Sequence, residues 1–442
     1  MKVQAAKIAA HAWPILIAQI ASMGMMVIDT VLLGHHGTVD LAAVAIGGGI
    51  YIAIVFALVG ILQAVAPTVA HHVGARRDDE VAGALQQTVW LALALSLPGM
   101  LLLFFPDPIL ALSKIEPAVD EKLRAYLRIL ACGMPAALLY RTFYSFCNAL
   151  RQPRPLMVIS LGNTLLHGVL AWSLVTGVAG EPLGALGCGL SNMLVNWVGC
   201  TLAALWVARS PGLARFAPFA RWQAPRWGTI RELLRLGLPM GFSNFVEITS
   251  FTLIALFVAQ LGATAVAGHR IVANVAALCY MLPLALAIAT LSQVGQAVGA
   301  RDWHRSRAAI GAGLLLAVGL STVLGVALWL AAEPVVFAYT DDPAVRTVAL
   351  GLIGYIALYQ FFDALQTVAG YALRGYKVTF VPMLVHTVAF WGVGLFGGWW
   401  LAFHAVQPMG VEGFWLASLA SLVVAAALLG GLLWRTLRAS GK

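Results

Sequence analysis

The chain is 442 residues long, 61% hydrophobic and only 10% charged, with 27 Lys and Arg against 18 Asp and Glu for a net charge of +9. An average soluble domain is about one quarter charged, and its surface must largely face water, so this composition excludes both a soluble globular protein and a disordered chain. Five scattered cysteines (Cys132, Cys147, Cys188, Cys200 and Cys279), with neither pairing nor metal-ligand spacing, exclude a secreted disulfide scaffold.

A helix needs about 20 mostly apolar residues to cross a bilayer. In chain order, the runs that meet this requirement occupy 13–34, 44–71, 84–105, 122–146, 155–176 and 184–208. Lys2 and Lys7 precede the first run, and no small-residue cleavage site clearly follows it, so it is expected to stay in place as helix 1. The one long hydrophilic stretch, Arg209 to Arg235, holds Pro211, Pro218, Pro225 and six Arg and reads as a flexible link. Six further runs follow at 233–260, 266–292, 306–331, 345–373, 379–403 and 411–434. The predicted fold class is therefore an all-α polytopic membrane protein of twelve transmembrane helices. Its parts are an N-terminal lobe (1–208), a cytoplasmic basic linker (209–232) and a C-terminal lobe (233–442).

Charge sets the orientation. With the N-terminus in the cytoplasm, twenty of the 27 cations fall on the cytoplasmic side, from Lys2 to Lys442, together with five acids. The opposite side holds Lys114, Lys122, Arg124, Arg128 and Arg346 with ten acids. This asymmetry follows the positive-inside rule, and it accounts for the net positive charge without a nucleic-acid partner.

The two halves resemble each other. His72-Val73-Gly74-Ala75-Arg76 matches Ala297-Val298-Gly299-Ala300-Arg301, and Glu116-Pro117-Ala118-Val119 matches Asp342-Pro343-Ala344-Val345. Asn148-Ala149-Leu150-Arg151 matches Tyr371-Ala372-Leu373-Arg374, so the three matches keep their order at offsets of 223 to 226. Because six is even, both halves enter the membrane from one side. A pseudo-two-fold axis along the membrane normal and a cavity between the halves are expected, which is the hardware of rocking alternating access.

Of the 18 acids, 15 fall in loops or at helix ends; Asp29, Glu247 and Asp363 lie within spans. A charge near the midplane costs at least about 2.5 kcal/mol, so the default reading of such a residue is functional. The structural alternative is a neutralising cation, for which Arg141 and Arg270 are the candidates. Tyr359 and Asp363 are four apart and share a helix face, as do Ser243, Asn244 and Glu247. These groups supply carboxylate, phenol, amide and hydroxyl oxygens, the ligands a hard cation prefers; a buried carboxylate could equally carry a proton. Helix 5 also holds Asn163 and His167, and His167 reads either as a proton relay or as a buried, hydrogen-bonded structural histidine.

Several short motifs resemble the multidrug and toxic compound extrusion (MATE) family. Trp13-Pro14 opens helix 1, Asp29 precedes Leu33-Gly34 at its end, and Val73-Gly74-Ala75 follows helix 2. In the second half stand Leu238-Pro239 with Glu247, Gly268-His269-Arg270 and Gln293-Val294-Gly295-Gln296. The stretch Tyr359-Gln360-Phe361-Phe362-Asp363-Ala364-Leu365-Gln366, ending in Leu373-Arg374-Gly375, looks like the NorM-like branch and is the most specific.

The resemblance covers nearly the whole chain. It implies an antiporter of the bacterial inner membrane, with both termini cytoplasmic, that exports amphiphilic, mostly cationic drugs in exchange for sodium ions or protons. It carries the cation-binding role to Glu247, Asp363 and Tyr359, with Glu247 and Asp363 as the metal ligands if sodium is the ion, and a proton- or substrate-binding role to Asp29. Asn244, Ser243, Asn163, His167 and Arg141 are supporting cavity candidates. Two departures stand out: the family branch tends to have Asn on the cavity face of helix 5, where Asn163 and His167 are here the nearest polar groups, and Arg270 stands where a neutral amide is common. No cofactor is expected beyond the coupling ion, and the partners are the lipid bilayer and small drugs, with the chain acting as a monomer. The rival of similar architecture is a flippase for a lipid-linked cell-envelope precursor, which needs a basic cavity for pyrophosphate. An enzyme is not expected, since neither a Walker A loop, a metal-ligand pair nor a Gly-x-Ser-x-Gly elbow is present.

Overall fold

The computed structural model describes residues 1–111, 115–178 and 180–440. Lys114 and Lys442, counted above among the loop cations, lie outside the described residues. Among the described residues the chain is all helical, without a strand. The long helices are α1 (Lys2–His36), α2 (Thr38–Gly74), α3 (Asp78–Phe104), α4 (Pro117–Ala149), α5 (Arg154–Thr176) and α6 (Ala185–Arg209). They continue as α7 (Trp227–Leu261), α8 (Ala263–Gly299), α9 (Trp303–Leu330), α10 (Pro343–Ile353 with Ile356–Gly375), α11 (Phe380–Phe403) and α12 (Val411–Ala439). Ten are individually long and apolar enough to span a membrane, and α10 passes as a pair bent by 47°. The twelfth, α4, is 33 residues long, but Arg141 and a charged first turn dilute its apolarity.

Several helices outrun the apolar segments that predict them: α1 starts at Lys2 rather than 13, and α7 at Trp227 rather than 233. Apolarity marks only the part of a helix that meets hydrocarbon, whereas backbone hydrogen bonding continues into the interface. Inside α11 the turns widen to a π-helix over Thr387–Phe396, a form that is rare at this length.

Four helices end in the same way. Arg76, Arg151, Arg301 and Lys377 adopt left-handed backbone at φ 57°, 61°, 56° and 59°. In each case the next residue's N–H returns to the carbonyl five residues earlier: Arg77 to His72, Gln152 to Cys147, Asp302 to Ala297, and Val378 to Leu373. This is the Schellman cap, whose left-handed position glycine normally fills. Here every occupant is a cation placed against the negative end of a helix. The caps also correct the repeat. Arg151 is equivalent to Lys377, not to Arg374, so the third sequence match is out of register by three residues and Arg374 corresponds to Asn148.

The chain forms two compact units, Ile17–Gly241 and Met1–Leu16 with Phe242–Lys442. Both α1 and α7 divide between them, each two residues after a proline, Pro14 and Pro239, at positions 225 apart. Within the first unit, the opening half of α7 lies flush on α2. A Cβ on Gly241 would stand 2.6 Å from the Ala57 carbonyl oxygen, and one on Gly237 would run into the Ile61 carbonyl. This small-xxx-small spacing lets two backbones touch. Asp40, expected as a loop acid, is instead 5% exposed, accepting from Lys122 Nζ at 2.7 Å and from the Ala185 backbone N–H at 2.9 Å, so it ties α2, α4 and α6 together. Nearby, in the loop after α3, the Arg124 guanidinium holds the Asp107 carboxyl below its ordinary range.

The linker is not a free tether. Gln86 and Gln87 on α3, both buried, use their amides as a clamp for its backbone. Gln86 donates to the carbonyls of Pro218 (2.8 Å) and Arg221 (2.9 Å) and accepts from Gln223 N–H (2.9 Å). Gln87 donates to Ala224 (3.0 Å) and accepts from Arg226 N–H (2.7 Å). Phe219 stacks on Trp222, whose ring also meets Trp90. A basic, proline-rich segment reads as flexible when its backbone partners are assumed to be water; here they are two glutamines.

Two predictions follow from these contacts. Replacing Gln86 and Gln87 together by Leu removes five hydrogen bonds, so trypsin should cleave after Arg221 and Arg226 in the variant under conditions that spare the parent, as read by gel and mass spectrometry. Arg301→Gly relieves left-handed strain of about 1 kcal/mol, so thermal stability of the purified protein should stay level or rise.

Candidate functional site

The second unit builds a polar cluster where α7, α8, α10 and α11 meet. Glu247 on α7 and the Tyr280 phenol of α8 line one cavity. One turn earlier, Asn244 also faces the cavity. From α10, Gln366, Thr367, Tyr371 and Arg374 close the wall, and His386 of α11 completes it. The cavity is small, with a volume of about 20 Å³.

Asp363 sits beside this cavity rather than in its wall. It is 5% exposed, and its Oδ1 accepts from Gln366 Nε2 at 3.0 Å. The same amide nitrogen donates to Thr367 Oγ1 at 2.9 Å, so one glutamine bridges the acid to the lining. Tyr359 lies deeper, its ring packed on Trp415 at 5.8 Å, and Trp415 in turn donates to His269 Nδ1 at 3.2 Å. The structure thus groups Glu247 with Asn244 and sets Asp363 next to them, while Tyr359 belongs to an aromatic layer below. Ser243 is buried but absent from the cavity wall. Ser250, one turn beyond Glu247, donates to the Phe390 carbonyl at 3.1 Å in the π segment of α11.

Arg374 is the residue that the sequence reading misplaced. Counted there as a loop cation, it is 7% exposed in the last turn of α10. Its guanidinium covers the Tyr371 ring at 4.4 Å and donates to Asn244 Oδ1 at 3.4 Å, and its charge acts on Glu247. The signal was present: Asp363, Thr367, Gly370 and Arg374 recur at helical spacing on one face. Ending the helix at 373 concealed it by one residue. His386 lies within the span of α11. Both its ring nitrogens are buried without a hydrogen-bond partner, and the ring lies on Phe390 at 5.6 Å. The Gln360 amide, one turn before Asp363, is orphaned in the same way.

In the first unit Asp29 is matched neither by Arg141 nor by Arg270. Its Oδ1 lies 3.0 Å from His167 Nε2, and it forms no other ion pair among the described residues. His167 Nδ1 meets Ser191 Oγ of α6 at 2.9 Å. Both His167 and Ser191 are fully buried and Asp29 is 8% exposed. Ser191 had no place in the sequence reading, since nothing local links it to α5. The amide of Asn163, one turn before His167, fills the space beside Gly199. Arg141 leans over the Tyr144 ring at 5.9 Å and pairs with no acid among the described residues.

Comparison with known proteins agrees with this architecture. The MatE family model matches twice, over residues 14–173 and 239–400, once in each half. The chain is 57% identical over 427 residues to the "Probable multidrug resistance protein NorM" of Aromatoleum aromaticum, covering 96% of this chain and 92% of that protein. It is 36% identical over 425 residues to the "Multidrug resistance protein NorM" of Aliivibrio fischeri, covering 95% and 92%. Its fold is similar to that of the eukaryotic MATE transporter AtDTX14, with a TM-score of 0.89 at 20% identity over 99% of this chain and 98% of that one. With a family model matched in both halves and a relative that close, the chain belongs to the MatE family, the multidrug and toxic compound extrusion transporters, in its NorM-like branch.

Proposed function

We propose that this chain is a secondary multidrug exporter of the bacterial inner membrane that moves amphiphilic, mostly cationic drugs outward in exchange for sodium ions or protons. The observation that carries the reading is Glu247, an acid within a membrane span that lines a cavity whose other walls are largely neutral oxygen donors. The NorM proteins of A. aromaticum and A. fischeri, named for multidrug resistance, support export of drugs as the activity.

The donor set fits a hard monovalent cation. Glu247, Tyr280, Asn244, Gln366 and Thr367 offer oxygens around the cavity, Asp363 adds a second carboxylate one hydrogen bond away, and the orphaned Gln360 amide offers a further acceptor. In this reading Glu247 and Asp363 hold the coupling ion, the Gln366 bridge orients Asp363, and Arg374 limits how much positive charge the cavity accepts. Tyr359 supports α10 through Trp415 instead of serving as a direct ligand. Asp29 holds a proton or a cationic drug in the first unit. Ion and drug exchange because each favours a different state of the same charged protein, and the ion gradient then sets the direction. Both termini lie in the cytoplasm, where the linker and the four basic helix caps also lie, and the protein works as a monomer.

In proteoliposomes, a cationic dye should leave against its gradient when either a sodium gradient or a pH gradient is imposed alone. Glu247→Gln and Asp363→Asn, at equal expression, should each lower that ion-driven efflux at least about tenfold, the loss of roughly 1.4 kcal/mol of coupling; undiminished efflux in both variants refutes the assignment. For orientation, a cysteine placed at Ala220 in a cysteine-free background should react with an impermeant maleimide in inverted vesicles and not in intact cells.

A further inference from the structure

The linker is held at a fixed depth along α3. Gln86, Gln87 and Trp90 lie in the first turns of the apolar run that begins at 84. The two glutamines bind the backbone of Pro218, Arg221, Gln223, Ala224 and Arg226. Trp90 Nε1 adds a sixth bond, donating to the Gln223 carbonyl at 3.0 Å. At 1.5 Å per residue these anchors occupy about 6 Å of the helix. Residues 218–226 therefore cross α3 as a strap close to where it turns apolar, and both belong to the unit Ile17–Gly241.

What the strap presents outward is basic and aromatic. The backbones of Arg221 and Arg226 are clamped, but their side chains are exposed. Trp222 stacks on Phe219 and is still 47% exposed, and Trp227 is 70% exposed. The pattern continues into α7. Trp227, Arg231 and Arg235 recur every four residues on one exposed face, which Leu238, 53% exposed, prolongs. The buried Leu233, Leu236 and Met240 point the other way. Residues 209–235 hold six Arg against one acid, Glu232. Arg221, Arg226, Arg231 and Arg235 enter no ion pair among the described residues.

We propose that the strap and the opening turns of α7 form a binding surface for anionic phospholipid. Arg221, Arg226, Arg231 and Arg235 take the headgroup phosphates, and Trp222 and Trp227 lie among the headgroups. Charge complementarity selects the partner: unpaired guanidiniums bind phosphate oxygens with charge-assisted hydrogen bonds. The face of α7 selects its source, because one stripe passes from an indole through two arginines to an exposed leucine, the order in which a helix crosses from headgroups into hydrocarbon. A free anion in water has no use for Leu238 on that stripe. The glutamine clamp separates this surface from a loose basic tail, since it fixes where the strap arginines stand instead of leaving them as a diffuse charge.

The test uses the full-length protein in phosphatidylcholine nanodiscs doped with brominated phosphatidylglycerol or brominated phosphatidylcholine, read by quenching of tryptophan fluorescence. The signal of interest is the part lost in Trp222→Phe/Trp227→Phe. In the parent, phosphatidylglycerol should quench that part preferentially, and high salt should remove most of the preference. Arg221→Gln/Arg226→Gln and Arg231→Gln/Arg235→Gln should each lower the preference at least about fivefold, the effect of a single arginine near an anionic leaflet, while melting like the parent in phosphatidylcholine alone. Gln86→Leu/Gln87→Leu, which keeps every arginine, should lower it as well. Equal quenching by the two lipids in the parent, or an unchanged preference in either arginine pair, overturns the surface. A preference that survives in the glutamine variant overturns the clamped arrangement, and displacement of the lipid by inorganic phosphate at constant ionic strength overturns lipid as the partner. Nanodiscs present both leaflets and no transport is measured, so none of these outcomes depends on orientation or on ion-coupled export.

Discussion

A carboxylate inside a membrane span must find its hydrogen bonds in the protein, because the hydrocarbon offers none. The arrangement of both units follows from how that demand is met. Asp29 is met by a histidine and Asp363 by a glutamine amide, and Glu247 shares a cavity wall with the Tyr280 phenol. None of these partners is a fixed cation such as Arg or Lys. A fixed ion pair would neutralise each acid permanently; a neutral partner satisfies its hydrogen bonds and leaves its charge uncompensated. Where a fixed charge is wanted only for structure, the chain uses one: Asp40 is clamped by Lys122 and the start of α6.

The buried arginine in the second unit is the instructive exception. Arg374 does act on Glu247, but it is itself shared with the face of Tyr371 and the amide of Asn244. Shared in this way, it moderates the cavity's negative potential without cancelling it. The two units therefore solve one electrostatic problem differently. The first uses a titratable base on a neighbouring helix, and the second uses neutral oxygens overlooked by one distributed positive charge.

The twelve helices, the repeat and the three intramembrane acids were all readable in the sequence, because each rests on a signal local to the chain: apolar length, motif order, a charge within an apolar run. What could not be read rests on contacts between distant segments. Gln86 and Gln87 look like ordinary polar residues in α3 until the linker backbone lies on them. Ser191 acquires meaning only beside His167. Arg374 lay between the two cases. Its helical spacing from Asp363 was visible, but a boundary error of one residue and a repeat match three residues out of register both assigned it to a loop. Tyr359 gains a neighbour that its i, i+4 spacing from Asp363 does not announce, since its ring packs on Trp415 of α12.

The four cationic Schellman caps have a consequence for biosynthesis. Two belong to each half, at equivalent ends of α2 and α4 and of α8 and α10, and each holds a positive charge rigidly at the point where a helix leaves the membrane. A topology determinant built into a turn is available as soon as its helical hairpin emerges from the ribosome. Each half thus carries, at equivalent positions, the kind of charge that the positive-inside rule counts. Glycine would be easier on the backbone at all four positions, yet it would leave the translocon nothing to read.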